Sequence, residues 1–126
     1  MRDIKFRGWD TVGEIMLPVE QIFFTGKFIS LEQDDNSLTD TFEMIELLQY
    51  TGLKDVDGKE IYEGDIVELV NFSENKSYAK IVFSFGMFKL IGRGHYLLEG
   101  DGISLYTIRK IRVIGNIFEN PELLTN

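Results

Sequence analysis

The sequence has no cysteine and only one histidine, His95, among its 126 residues. Without cysteine, disulfide bonds and thiolate metal sites are excluded, and a single imidazole cannot build a histidine-rich metal centre. No apolar run approaches the roughly 20 residues of a membrane-spanning helix. The start, Met1-Arg2-Asp3, leads into alternating residues and not into the apolar segment of a signal peptide. We therefore expect a cytoplasmic protein with no metal, no cofactor and no membrane contact.

Motifs that carry catalysis are also missing. Neither the phosphate-loop pattern Gly-x-x-x-x-Gly-Lys-Ser/Thr nor the hydrolase pattern Gly-x-Ser-x-Gly occurs. Carboxylates are abundant, but nothing marks one pair of them for acid–base catalysis. His95 stands between Gly94 and Tyr96, a context typical of a loop edge, and no motif orients it as a general base. The sequence therefore predicts a protein that is not an enzyme.

A calcium loop is the one metal site that the sequence superficially offers, at residues 55–58. With Gly58 as the sixth residue of such a loop, Leu53 would be the first and Gly64 the twelfth. Neither residue supplies the required carboxylate, and no helix is predicted on either side. The hairpin interpretation of Asp57-Gly58 is therefore preferred.

The composition is that of a packed globule rich in strands. Apolar residues make up 44 % and aromatic residues 13 % of the chain, with ten Phe and five Tyr. The net charge is −8, and it is unevenly placed. Residues 32–68 contain twelve carboxylates and two lysines, which repel a phosphate backbone. This acidic segment is either a solvated surface or one complementary to a basic partner.

Residues 50–70 organise the chain. Within them Asp57-Gly58 predicts a hairpin turn, because glycine accepts positive φ and Asp tolerates it. Glu63-Gly64-Asp65 predicts a second turn, and the β-branched run 66–70 predicts a strand. We therefore assign Asp57, Gly58, Gly64 and Asp65 as structural turn residues.

Short alternating segments separated by glycine turns fill the remainder of the chain. They predict strands over residues 2–9, 14–17, 21–25, 27–31, 45–50, 79–85, 87–91, 95–99 and 110–118. Pro18 is predicted to end a strand or mark a sheet edge, because proline cannot donate to the ladder. Loops are predicted at 33–41 and 71–77, and a helical turn at 104–108. Asn120 and Pro121 predict the start of a short helical turn. This spacing favours an all-β barrel or sandwich.

Three stretches carry a family resemblance. They are Tyr50 to Asp55 continuing from Asp57 to Val67, the start Ile4-Lys5-Phe6-Arg7 with Trp9-Asp10, and the end from Val113 to Leu124. Together they resemble the YopX family of small proteins encoded by phages and prophages. The resemblance implies a β-rich fold related to SH3-type barrels and implies no reaction, cofactor or catalytic residue. The least typical parts are residues 31–46 and 71–102, where a role special to this member would lie.

We therefore expect one YopX-like unit containing an SH3-like, partly open β-barrel with an N-terminal β-hairpin or meander extension. In this division residues 1–31 form the meander, 32–44 an acidic loop, 45–119 the barrel and 120–126 a C-terminal tail. Residues 33–41 within it are the best candidate for a mobile segment, because they are polar and have few apolar anchors.

Two basic clusters are the candidate interaction residues: Lys5, Arg7 and Trp9 near the start, and Arg109, Lys110 and Arg112 near the end. If Ile4 and Phe6 face the core, Trp9 lies outside it, where a second copy would cover it; alternatively the N-terminal hairpin buries Trp9 within one chain. The preferred function is a phage-encoded interaction or assembly module that self-associates, with a phage or host protein as a further partner. The alternative is a nucleic-acid-binding module using clusters 2–7 and 109–112, which the acidic balance disfavours.

Overall fold

The computed structural model describes residues 3–69, 77–93, 103–104 and 111–125, and these confirm an all-β chain. They contain eleven strands and a short 3₁₀ helix at Pro121–Leu124. The strands are β1 Phe6–Asp10, β2 Ile15–Phe23, β3 Phe28–Gln33, β4 Asn36–Thr41, β5 Ile45–Lys54, β6 Glu60–Tyr62, β7 Asp65–Leu69, β8 Ser77–Ser84, β9 Met87–Arg93, β10 Ile103–Ser104 and β11 Ile111–Asn116.

The strands form two antiparallel sheets. The first has the order β4-β3-β2-β1-β5-β6 and the second the order β10-β9-β8-β7-β11. In the second sheet the last strand returns to pair with β7, the first strand of that sheet. Over the described ranges neither sheet is closed into a barrel, and the likeness to SH3 barrels stays a prediction.

The chain divides into two compact units, residues 1–50 and 51–126, with the boundary inside β5. Each unit has its own apolar core, as expected where one face of each sheet is covered. The core of the first unit consists of Ile29, Leu31 and Ile45 with Leu17, Val19, Leu38 and Leu47 packed against them. The core of the second consists of Ile61, Val67, Leu69, Ala79, Ile81, Leu90 and Ile111, flanked by Phe88 and Val113.

Strand β1 lies inside its sheet and buries different residues from those predicted. Ile4 precedes the strand and is 64 % exposed, so the expectation that it faces the core is wrong. Gly8 is the buried residue at the centre of the strand, where a methyl group would lie 2.6 Å from Leu31 Cδ2 and 2.8 Å from Ile45 Cγ2. The apolar core of this unit thus presses directly on the β1 backbone, which only glycine permits.

The predicted loop at 33–41 is wrong, because β3 extends to Gln33 and β4 pairs with it along its whole length. Only Asp34 and Asp35 form the turn, with Asp34 at a φ of 51°. Leu38 gives β4 its apolar anchor, since it pairs with the fully buried Leu31 and packs on the core. The predicted acidic loop at 32–44 is therefore wrong over residues 32–41, which belong to a paired hairpin with Leu38 packed against the core.

Pro18 does not end its strand or mark a sheet edge, since β2 continues to Phe23 between β1 and β3. Its pairing with β3 begins at Val19, and the register shifts between Val19 and Gln21. The missing N–H of Pro18 therefore falls beside an irregularity at the end of a ladder, where a proline is tolerated.

The predicted strand at residue 45 is confirmed, because β5 begins at Ile45. The helical turn predicted at 104–108 is wrong at its first residue, because Ser104 belongs to β10. Several other expectations lie outside the described residues: the loop at 71–76, the loop edge at His95, the strand at 95–99 and the rest of the helical turn.

Candidate interaction surfaces

Asp55 is the centre of the loop that joins β5 to β6. Its carboxylate is buried and accepts three backbone hydrogen bonds: Oδ1 from the N–H groups of Asp57 and Lys59, and Oδ2 from that of Val113, each at 2.9 Å. The N–H of Val56 also donates to the carbonyl of Ile111, at 3.0 Å. One carboxylate therefore shapes the loop and fastens it to the distant strand β11.

These contacts shift the acidity of Asp55. Burial, the largest single influence, raises its pKa because it penalises the charged form. The three N–H donors and the charge of Lys59 act in the opposite direction and together outweigh burial. The pKa of Asp55 is therefore lowered from the ordinary value of 3.8, and the carboxylate is ionised at neutral pH.

The exposed carboxylate of the same loop pairs with one of the predicted basic residues. Arg112 Nε donates to Asp57 Oδ2 at 2.9 Å, with side chains 47 % and 60 % exposed. This contact raises the pKa of Arg112, chiefly through its hydrogen bond with Asp57. The structure thus engages Arg112 within its own unit, while Arg109 and Lys110 lie outside the described residues.

Gly58 has a φ of 82°, and its position is otherwise open, because a methyl group added there would have no atom within 4 Å. Gly58→Val is expected to lower the stability by about 1–2 kcal/mol, because a β-branched residue resists positive φ. The change is read from the thermal unfolding midpoint. Gly58→Asn is the matched control, since Asn tolerates this conformation and should cost much less. Equal midpoints for wild type and Gly58→Val would contradict the prediction.

The second turn connects three strands. Gly64 has a φ of 83°, its N–H donates to the carbonyl of Ile81, and its own carbonyl accepts from Ile117, both at 2.8 Å. Asp65 is 1 % exposed, and its Oδ2 accepts from the N–H of Tyr62 at 2.8 Å. The residues assigned from sequence as turn formers thus also hold β6, β8 and the end of β11 together.

Sequence reasoning missed Asn116, a second polar centre. Its side chain Oδ1 accepts from the N–H groups of Phe118 and Glu119, and its Nδ2 donates to Glu119 Oε1 at 2.9 Å. Asn120 Oδ1 accepts from the N–H of Asn116, so Asn120 does not cap the 3₁₀ helix with its side chain. Pro121 does occupy the start of that helix. The sequence signal for this polar centre was the pair Asn116 and Asn120, four residues apart, with Gly115 directly before the first.

The N-terminal cluster lies on the sheet face opposite to Gly8. The Lys5 ammonium lies 5.7 Å from the centre of the Tyr50 ring, a cation–π contact. Arg7 pairs with Leu48, and Trp9 with Glu46, on the neighbouring strand. Arg7 and Trp9 are both half-buried. The chain itself therefore covers part of Trp9, and the cover of the remainder by a second copy stays a prediction.

Most of the exposed phenylalanine side chains lie elsewhere, in two places that sequence reasoning did not select. We name residues 77–93 the basic hairpin; it has β8 and β9 as its arms and Phe85 at its tip, 88 % exposed. We name the second place the acidic aromatic patch; its members are Phe24, Phe28, Phe42, Glu43 and Met44. Phe24 is 73 % exposed and meets Phe42 edge to face. The alternation of apolar and polar residues in the sequence did not indicate either surface, because it does not show which apolar residues lie beyond the core.

Two kinds of site do not occur in the described ranges. No three or more His, Asp or Glu side chains there gather in a way that could hold a metal ion. No helix in the same ranges is long and apolar enough to cross a membrane.

Comparison with known proteins gives matches over the whole length. The solved structure of protein EF1440 from Enterococcus faecalis is 31 % identical, covers 98 % of this chain and 99 % of its own, and superimposes with a TM-score of 0.67. Protein yopX from Bacillus subtilis is 22 % identical, with 95 % and 97 % coverage and a TM-score of 0.63, which shows the same fold. None of the curated proteins matches. The family model described as YopX protein matches residues 5–125, and the chain therefore belongs to the YopX family.

Proposed function

We propose that this protein is a phage- or prophage-encoded interaction or assembly module that self-associates and catalyses no reaction. It would act in the cytoplasm of the bacterial host, with a phage or host protein as a further partner. The observation that carries the proposal is a group of apolar side chains exposed in one place, where Phe24 is 73 % and Phe42 37 % exposed and their rings meet edge to face. Exposed apolar patches are typical of a contact between proteins.

Charge supports a protein partner over a nucleic acid. The acidic segment at residues 32–68 repels phosphate, and the net charge of the whole chain is −8. The nucleic-acid alternative depends on two basic clusters in which two described members are engaged: Arg112 with Asp57, and Lys5 with Tyr50. No observation favours that alternative for these clusters.

Strand edges offer a second means of association. Strand β4 lies at the edge of the first sheet, and none of the described strands pairs with its outer ladder of N–H and C=O groups. Open edges of this kind pair with a second chain unless they are blocked. The edge strand also carries polar side chains, which disfavour indiscriminate pairing.

Light scattering on the wild type at micromolar concentration tests the proposal, and we expect a mass of at least two chains. Trp9→Ala tests whether the Trp9 face takes part, because Trp is enriched among residues that dominate contacts. A reduced mass for this variant would assign the Trp9 face to the contact. An unchanged mass would leave self-association in place and remove Trp9 from it. A monomeric wild type would refute the proposed function.

A further inference from the structure

Strand β4 has one edge bonded to β3 and one open edge, and its hydrogen bonds show which residues face outwards. The N–H of Phe42 donates to the carbonyl of Lys27 at 3.0 Å, so these two residues form a hydrogen-bonded pair at the end of the β3–β4 ladder. Hydrogen-bonded and non-hydrogen-bonded pairs alternate along an antiparallel ladder. The residues of β4 that turn their main-chain N–H and C=O groups away from β3 are therefore Ser37, Thr39 and Thr41.

The chain itself closes the last of these three positions. The N–H of Thr41 donates to Asp40 Oδ1 at 2.8 Å, and the carbonyl of Thr41 accepts from the N–H of Met44 at 3.1 Å. The outward main-chain groups of Ser37 and Thr39 have no hydrogen-bond partner among the described residues, and both residues are exposed. The open part of the edge is therefore limited to Ser37 and Thr39.

This open part is complementary to a second copy of itself. In an antiparallel pair of two β4 strands with Leu38 opposite Leu38, Ser37 of each copy lies opposite Thr39 of the other. The two residues of such a pair exchange both of their main-chain hydrogen bonds, so every outward N–H group meets an outward C=O group. The Ser37 and Thr39 hydroxyl groups also lie across from each other, which is a favourable cross-strand pair. The open edge is thus fully satisfied by its own sequence.

The other face of β4 fits the same register. Leu38 packs against the core of its own unit and is half-buried, so Leu38 of a second copy would cover more of it. Asn36 of one copy lies opposite Asp40 of the other, so an amide faces a carboxylate. Asp35 lies opposite Thr41, and no carboxylate of either strand therefore lies directly opposite another one.

The neighbouring registers fit less well. A shift by two residues in one direction places Asp40 of one copy opposite Asp34 of the other, and like charges directly opposite are destabilising. A shift by two residues in the other direction places Ser37 opposite Thr41, whose main-chain groups are already bonded. The register centred on Leu38 is therefore selected against both.

We propose that β4 of one copy pairs antiparallel with β4 of a second copy, with the two Leu38 residues beside the twofold axis. This inference rests on the proposed self-association and names its contact. The contact joins the same surface of both copies, so a pair of chains closes on itself. It also covers a strand edge that is otherwise open to other extended chains. A typical interface has about ten direct hydrogen bonds, so a ladder this short should form a pair whose population depends on protein concentration.

Thr39→Pro is the variant that tests the hydrogen bonds. It removes one outward N–H group from each copy and no bond to β3, and proline is tolerated on an edge strand, so the fold is preserved. Sedimentation velocity over a concentration series should show self-association weakened by about tenfold or more. Thr39→Val keeps the N–H group and the side-chain shape, so this matched control should associate nearly as the wild type does. Equal association of wild type and Thr39→Pro overturns the inference.

The absence of cysteine allows a test of the register that does not depend on the proline variant. Positions 36 and 40 of the two copies form a non-hydrogen-bonded pair with a Cα separation of about 4.5 Å, which a disulfide bond can span. Asn36→Cys and Asp40→Cys are therefore prepared separately, mixed and oxidised mildly. The mixture should form a covalent dimer. Neither variant alone should form one, because its two substituted positions lie about 14 Å apart, four residues along the strand.

The outcomes separate this inference from the proposed function. A mixture without covalent dimers overturns the inference, as does cross-linking of one variant alone, which indicates another register. If the wild type self-associates and Phe24→Ser abolishes this while Thr39→Pro does not, the acidic aromatic patch is the contact; the β4 pairing then fails and self-association stands. A monomeric wild type refutes both.

Discussion

Asp55→Ala is expected to lower the free energy of unfolding by about 2–4 kcal/mol, because it leaves three backbone N–H groups without their acceptor. Those groups belong to Asp57, Lys59 and Val113, and the last lies on a different strand from the loop. The effect should therefore reach β11 and not the loop alone. Urea unfolding gives the free energy, and amide hydrogen exchange at Val113 reports the strand directly.

A second variant, Asp55→Asn, replaces the buried carboxylate by an amide. Asp57→Asn is its matched control. Both replace a carboxylate by an amide in the same loop, but the Asp57 side chain is 60 % exposed and its carboxylate pairs with the exposed Arg112. Exposed ion pairs contribute little to stability, so Asp57→Asn should leave the unfolding midpoint almost unchanged. If the two asparagine variants are equally stable, the central role assigned to Asp55 is wrong.

The advantage of wild type over Asp55→Asn should also depend on pH. The folded protein lowers the pKa of Asp55 below 3.8, so the carboxylate stabilises the fold in its ionised form. That contribution is fully present above 3.8 and is lost as the pH falls through the lower pKa of the folded state. The difference in stability should therefore be constant near neutral pH and shrink below 3.8. A difference that grows on acidification would contradict the assignment.

Gly8→Ala is expected to destabilise the first unit by about 2–3 kcal/mol through overpacking. The added methyl group would lie 2.6 Å from Leu31 Cδ2 and 2.8 Å from Ile45 Cγ2, closer than atoms pack. Leu31 is fully buried, so it has little room to move away. Thermal unfolding of the variant measures the effect.

Leu31→Val provides the test of that mechanism. It removes the atom closest to the added methyl group, so the double variant should lose less stability than the sum of the two single changes. Additive losses would show that the close contact is not the cause.

The sequence predicted the all-β class and the central turns well because these depend on local chemistry. Gly58 and Gly64 both take positive φ, as a glycine after an acidic residue indicates. β5 begins at Ile45, as predicted for a strand that runs directly into the hairpin motif. Composition and residue spacing therefore predict the fold class and the positions of such turns directly.

The errors arose where one distant contact decided the structure. Leu38 is the apolar anchor that makes β4 a strand, and its partner Leu31 cannot be identified from the polar residues around it. Pro18 is tolerated because a register shift follows it, which composition does not reveal. The exposed aromatics were missed for the same reason, since Phe85 and Phe88 look alike in sequence and only the fold leaves one of them outside.

The bond from Val113 to Asp55 joins residues 58 positions apart, and this spacing bears on the order in which the chain folds. On the ribosome, the β1–β2, β2–β3 and β3–β4 hairpins join strands that are neighbours in sequence and can form early, as local contacts do. The loop at Asp55 emerges soon afterwards but must wait for β11. Until β11 is made, Asp55 Oδ2 lacks the N–H group of Val113. In the same period one edge of β7 is unpaired, because β11 is its partner there. Nascent chains that end before residue 111 should therefore hold a folded first unit and a protease-sensitive second one.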